Sequence, residues 1–185
     1  MKKILSVLLC LAILAGAGCA AGGASEKENY TMVTVNGLFE IRGTLPEGYR
    51  MSNVMTDDAA ITAYFDNEDP AKPYFILVIA YLEEYADVER MNDMSEKDRM
   101  QLLGDDPTLS EKIELMETDF GTQVMILRSN DAEDDFACFV SVYKGYEVGI
   151  NMFPGEAEDR KLTSEQIQLA MKFLSDMEFV PVGER

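Results

Sequence analysis

Thirty-four carboxylates, three thiols and no imidazole make up the reactive side chains of this 185-residue chain. Without His there is no Ser-His-Asp or Cys-His machinery, no imidazole base and no imidazole metal ligand. Cys138 lies within Phe136-Ala137-Cys138-Phe139-Val140. A nucleophilic thiol needs a base or a cation to lower its pKa, and none stands near it in sequence. In an apolar strand a Cys is a small buried hydrophobe, and that is the role expected of Cys138.

The carboxylates concentrate in two loops, Asp66, Glu68 and Asp69 in one and Asp131, Glu133, Asp134 and Asp135 in the other. Calcium takes six to eight oxygen ligands and acidic loops supply them. Neither loop has the glycine and the distant glutamate of a calcium-binding EF-hand, so both read as solvated acidic surface and no metal ligand is assigned. Paired carboxylates also serve glycoside hydrolysis, but in so acidic a chain their proximity carries no information. Val148-Gly149 and Pro154-Gly155 lack the lysine and hydroxyl residue of a phosphate loop, and no Ser sits in a G-x-S-x-G elbow. Tyr74, Tyr81, Tyr85, Tyr143 and Tyr146 are expected near strand ends, edging the core with their hydroxyls in water. No catalytic residue and no cofactor is implied.

The net charge of -18 excludes direct nucleic-acid binding, because phosphate recognition needs a basic surface. A basic pair opens the chain. Lys2 and Lys3 precede the apolar stretch Ile4–Leu14, and small residues follow from Ala15 to Ala24. That stretch is too short to span a bilayer and has no polar face, so it reads as a secretory signal. Ala17-Gly18-Cys19 resembles the box at which a bacterial lipoprotein is cut and lipidated on its cysteine, although Gly16 stands where such boxes usually have Leu. An ordinary cut after Ala17, Ala20 or Ala24 is the alternative. The organisation expected is a signal over residues 1–18, a tether over 19–29 with Cys19 as the lipidation site, and one domain over 30–185. The location is then extracytoplasmic, with membrane contact through the lipid alone.

The body of the chain alternates strands and turns. Thr31–Val35 and Leu38–Ile41 flank the hairpin signal Asn36-Gly37, and Leu45–Tyr49 is a turn. Strands are expected over Arg50–Val54, Ala60–Phe65 and Tyr74–Leu82, the last apolar at nearly every position and so central and buried on both faces. Residues 83–105 read as a helical region, with Ser95 as an N-cap, Gly104 as a stop and a stripe of Met91, Met94, Met100 and Leu103 facing the core. Ile113–Thr118 and Gln123–Arg128 form one hairpin, and Phe136–Tyr143 and Tyr146–Phe153 another through Lys144-Gly145. A last helix starts at Thr163, with Gln166 completing a capping box and Ile167, Ala170, Met171, Leu174 and Met177 on one face. Phe179–Val182 is a terminal extension.

The predicted class is α+β, a mostly antiparallel sheet of about six to seven strands with helices packed on its faces in an α/β/α sandwich. The Leu45-Pro46-Glu47-Gly48-Tyr49 turn, the central apolar strand, the helical crossover, the paired hairpins and the closing helix Ile167–Phe179 resemble the PsbP/Mog-type α/β/α sandwich over roughly residues 35–182. Members include a photosystem accessory subunit and a binder of a small GTPase. The resemblance implies a non-catalytic role in binding or assembly, with another envelope protein or a small ligand as partner. It assigns no site residue, because no site motif is matched. The rival expectations are a carboxylate- or metal-dependent envelope enzyme and a weak calcium-binding module. If Cys19 is lipidated, Cys19→Ser moves the protein from the membrane fraction to the medium. A wild-type protein that is already wholly soluble, with a free N-terminus at Gly18, Ala21 or Ser25, overturns the lipid anchor.

Overall fold

Turn chemistry sets the hairpins. In the computed structural model, which describes residues 28–102, 113–118, 121–129, 135–156 and 160–183, Lys144 and Gly145 both take positive φ, 53° and 80°. That two-residue geometry matches the twist of the strands it joins. β8 (Phe136–Tyr143) therefore folds straight back as β9 (Tyr146–Phe153), with Tyr143 opposite Tyr146. Asn36-Gly37 joins β1 (Asn29–Val33) to β2 (Phe39–Thr44) in the predicted hairpin, with Gly37 at φ 71°. β3 (Tyr49–Thr56), β4 (Ala60–Asn67) and β5 (Tyr74–Tyr81) form an antiparallel meander, and β6 (Ile113–Glu117) pairs with β7 (Gln123–Ser129).

These strands make two antiparallel sheets. The larger has seven strands in the order β3-β4-β5-β9-β8-β7-β6, and the smaller has three, β1-β2-β10, where β10 is Glu178–Pro181. α2 (Ser164–Ser175) packs into the core that both sheets share and starts as predicted. Thr163 accepts the Gln166 backbone N–H, and the Gln166 side chain accepts the Thr163 N–H. Just before this cap, Asp135 Oδ2 accepts the Leu162 N–H at 2.7 Å and Arg128 Nη2 donates to the Leu162 carbonyl at 3.1 Å, so the sheet grips the chain where the helix begins.

The predicted α/β/α sandwich is overturned. Strand accounts for 49% of the described residues and helix for 18%, with only one long helix, so the fold is mainly β. The segment expected as a terminal extension is β10, and the first hairpin belongs with it in a second sheet. That sheet and α2 together cover the inner face of the large one: Tyr30, Met32 and Ile41 share a core with Phe65, Phe75, Phe139, Ile150, Phe173 and Leu174. Phe173 is the meeting point, with ring centroids 4.9 Å from Phe75, 5.2 Å from Phe65 and 5.5 Å from Tyr30.

The outer face is covered by irregular chain. Residues 83–102 hold two 3-10 turns, Glu83–Tyr85 and Met91–Asp93, and the six-residue α1 (Glu96–Gln101), not the helix predicted over 83–105. Ser95 caps α1 as expected, by accepting the Asp98 N–H, but each turn is too short to propagate. Met91 and Met94 are buried core residues, whereas Met100 is exposed. Leu103 and Gly104 lie outside the described residues. β5 is central in its sheet, but the prediction that both its faces are buried fails. Phe75, Leu77 and Ile79 are buried on the inner face, while Ile76, Val78 and Ala80 on the outer face are only half-buried.

Leu174 is fully buried in that shared core, and Leu174→Ala is expected to cost about 2–5 kcal/mol through lost burial and the cavity left behind. Chemical denaturation measures it. A loss under about 0.5 kcal/mol would place this helix face in solvent.

Candidate functional site

Strand alternation and register fix which residues share the outer face of the large sheet. From one side to the other its rows run Asn53–Tyr64–Ile76–Asn151–Cys138–Leu127, then Met55–Thr62–Val78–Gly149–Val140–Met125, then Ala60–Ala80–Glu147–Val142. A further row at one end sets Tyr74 beside Phe153, stacked at 5.2 Å, with Phe136 6.4 Å from Phe153.

The cover divides this face. Tyr85, Val88, Met91, Met94 and Leu102 pack on Met125, Leu127, Cys138, Val140 and Val142, at the β7–β8 side. Polar contacts fix the cover there. The Met91 N–H donates to Thr122 Oγ1 at 3.1 Å, and the Gln123 N–H donates to Asn92 Oδ1 at 2.7 Å. The Lys144 and Gly145 N–H groups donate to the carbonyls of Glu89 and Val88. Thr122 Oγ1 also donates to the Val142 carbonyl, and Ser141 Oγ to that of Gln123, so these buried hydroxyls are pinned structural groups. The opposite half, over β4, β5 and β9, keeps Tyr64, Ile76, Val78, Ala80, Asn151 and Phe153 half-buried.

Glu147 lies at the boundary of the two halves. Among the described residues its carboxylate has no hydrogen bond and no ion pair. Desolvation in the sheet raises its pKa, and the neighbouring Glu84 raises it further. The groups it acts on are also uncompensated: its field contributes to the upward shift of Tyr85, alongside Glu84 and Asp98, and to that of Cys138. The basic groups nearby are engaged elsewhere. Lys144 lies 3.4 Å from Glu89 and over the rings of Phe39 and Tyr143.

Cys138 is the thiol the sequence placed in an apolar strand. Burial, with a smaller contribution from Glu147, pushes its pKa up to about 12, so it is held as the thiol and is a poor nucleophile. The acidic loops separate. Asp69 uses a carboxylate oxygen on the Ala71 N–H, and Asp66 stands opposite Arg50. Asp135 is 4% exposed and binds Leu162, so it is no part of a solvated loop. Asp131, Glu133 and Asp134 lie outside the described residues, as does Cys19. Among the described residues no three acidic or thiol side chains converge as a metal would require.

The tyrosines do not form one cluster. Tyr81, Tyr143 and Tyr146 gather around Phe39 and Phe179 on the inner face, Tyr85 belongs to the outer cover, and Tyr74 lies at the far end of the outer face. The Tyr146 hydroxyl is not in water: it donates to Asn36 Oδ1 and Thr34 Oγ1. Glu147 is the residue that sequence reasoning missed. Its signal was the alternation Tyr146-Glu147-Val148-Gly149-Ile150-Asn151, which marks one polar side of β9, but alternation alone assigns that side to water. Compared with known protein families and with curated proteins, the chain matches no family model and no curated relative.

Glu147 gives stability a defined pH dependence. Its folded-state pKa is raised, so the folded protein holds the proton more tightly than the unfolded chain, and stability falls as pH rises from the ordinary carboxylate value of about 4.3 through the raised one. Glu147→Gln removes that loss. The variant is expected to melt above the wild type at about pH 8, with the gap closing by about pH 4. A variant that melts at or below the wild type at about pH 8 would show that the carboxylate is not under strain.

Proposed function

We propose that this chain is a non-catalytic, extracytoplasmic binding or assembly module, carried to the membrane by a lipid on Cys19, whose binding surface is the half-covered outer face of the large sheet. One observation carries the reading. A contiguous run of apolar and aromatic side chains on β4, β5 and β9 is left half-buried, with a carboxylate at its margin that has no partner among the described residues. A protein that used this face only for stability would gain by covering the apolar groups and removing the charge. Binding surfaces retain both. A distant relation to the PsbP/Mog-type proteins is part of the proposal on element order and the Leu45–Tyr49 turn alone, and it transfers no residue and no layer arrangement.

The test is position-dependent. A photoreactive residue at Val78, in the middle of the face, is expected to form a discrete adduct in intact cells, and Ile76→Arg in the same chain is expected to abolish it. The same probe at the exposed Lys172 on α2 is the control. Identical adducts at both positions, or an adduct at Val78 indifferent to Ile76→Arg, would refute the assignment of the surface.

A further inference from the structure

The half-covered face has a chemistry that selects its partner. Resting on the reading above, we propose that it receives an extended apolar segment of a partner protein that carries a Lys or Arg side chain, whose cationic head seats on the Glu147 carboxylate.

Three features of the site argue for this occupant. The first is charge complementarity. Glu147 has no partner among the described residues, its electrostatic neighbours Glu84, Tyr85 and Cys138 are acidic or neutral, and the chain as a whole carries -18. A cation arriving here replaces the hydration the carboxylate has lost and relieves its repulsion from Glu84. The surrounding acid excess steers cations and repels anionic surfaces.

The second is shape. Gly149 sits in the row between Val78 and Val140. Gly149 is itself buried, and a Cβ built on it meets only the Phe139 and Val78 carbonyl oxygens, at 3.9 and 4.0 Å, so the floor of the face is flat here and has room for a methyl group without strain. The alkyl stem of a Lys or Arg lies naturally over such apolar floor while its head reaches the carboxylate. The flanking Tyr64, Ile76, Val78 and Phe153 take the apolar side chains beside it.

The third is the exclusion of a second copy of this chain. A second copy would bring the same net charge of -18 to a face whose margin is already acidic, adding repulsion where a cation is needed. The occupant is therefore a different, basic-apolar chain.

The experiment titrates the processed protein with three decapeptides, alternating Leu-Lys, Leu-Gln and Leu-Glu, at about 150 mM salt, where the Debye length is about 8 Å, while following backbone amide shifts. The Leu-Lys peptide is expected to bind at least about tenfold more tightly than Leu-Gln, with shifts confined to the amides around Ile76, Val78, Gly149 and Asn151. Glu147→Gln is expected to bring the two affinities within about twofold, and Gly149→Ala, which the backbone accommodates, to weaken both peptides alike. A Leu-Lys preference that survives Glu147→Gln, or shifts scattered over the acidic surface, would overturn the cation proposal while Leu-Gln binding at the same amides still upholds the surface. If no peptide moves those amides, the assignment of this face as the binding surface fails with it.

Discussion

Phe173 touches Phe65 and Phe75 of the large sheet and Tyr30 of the small one, and through that contact three elements share a single interior. Aromatic rings of this size bury 150–250 Å² each, so their meeting place dominates the core. Everything packed on the inner face is positioned with respect to it. α2 is placed by its cap and by the grip of Asp135 and Arg128 on Leu162. The small sheet is placed by Tyr30, Met32 and Ile41. A seven-stranded sheet has two faces of equal area, and these elements are spent on one of them.

The outer face is left to residues 83–102, a segment of short turns held to β7, β8 and the β8–β9 turn by Thr122, Asn92, Lys144 and Gly145. Its anchors lie on one side of the sheet, so its cover does too. The apolar groups on β4, β5 and β9 stay half-buried because no described element reaches them. The division of this face is thus a consequence of where the inner core takes its material.

Glu147 lies where the divided face puts its costs. A carboxylate among apolar neighbours, beside a second acid and with no donor or cation among the described residues, loses hydration and gains nothing from them in exchange. Burial, with a smaller contribution from Glu147, holds Cys138 protonated, which separates the two readings of that thiol: its surroundings suppress nucleophilicity. The proposed recognition surface rests on these two costs, the uncompensated charge and the incomplete cover, which a partner supplying both would relieve.

Much of the local structure was legible in the sequence. Asn36-Gly37 and Lys144-Gly145 announce their hairpins because glycine readily takes the positive φ that Gly37 and Gly145 adopt, and Thr163 with Gln166 announces the start of α2 because the capping box closes within four residues. The core roles of Met91, Met94 and Leu174 were also readable from their type and spacing. Pairing between distant segments was not. Glu178–Pro181 becomes a strand only because β2 offers it an edge, and β5 reads as buried on both faces because its composition cannot say how far its cover extends. Asp135 looks like one more solvated acid until Leu162 comes to it from 27 residues away. The sequence by itself determined the turns, the cap, the strand periodicity and the acidic charge, all set by interactions within a few residues. The tertiary structure alone decided that the described strands divide into two sheets, that the outer face is half covered by described chain, and that Glu147 has no partner among the described residues, because each depends on which distant surfaces compete for the same apolar area.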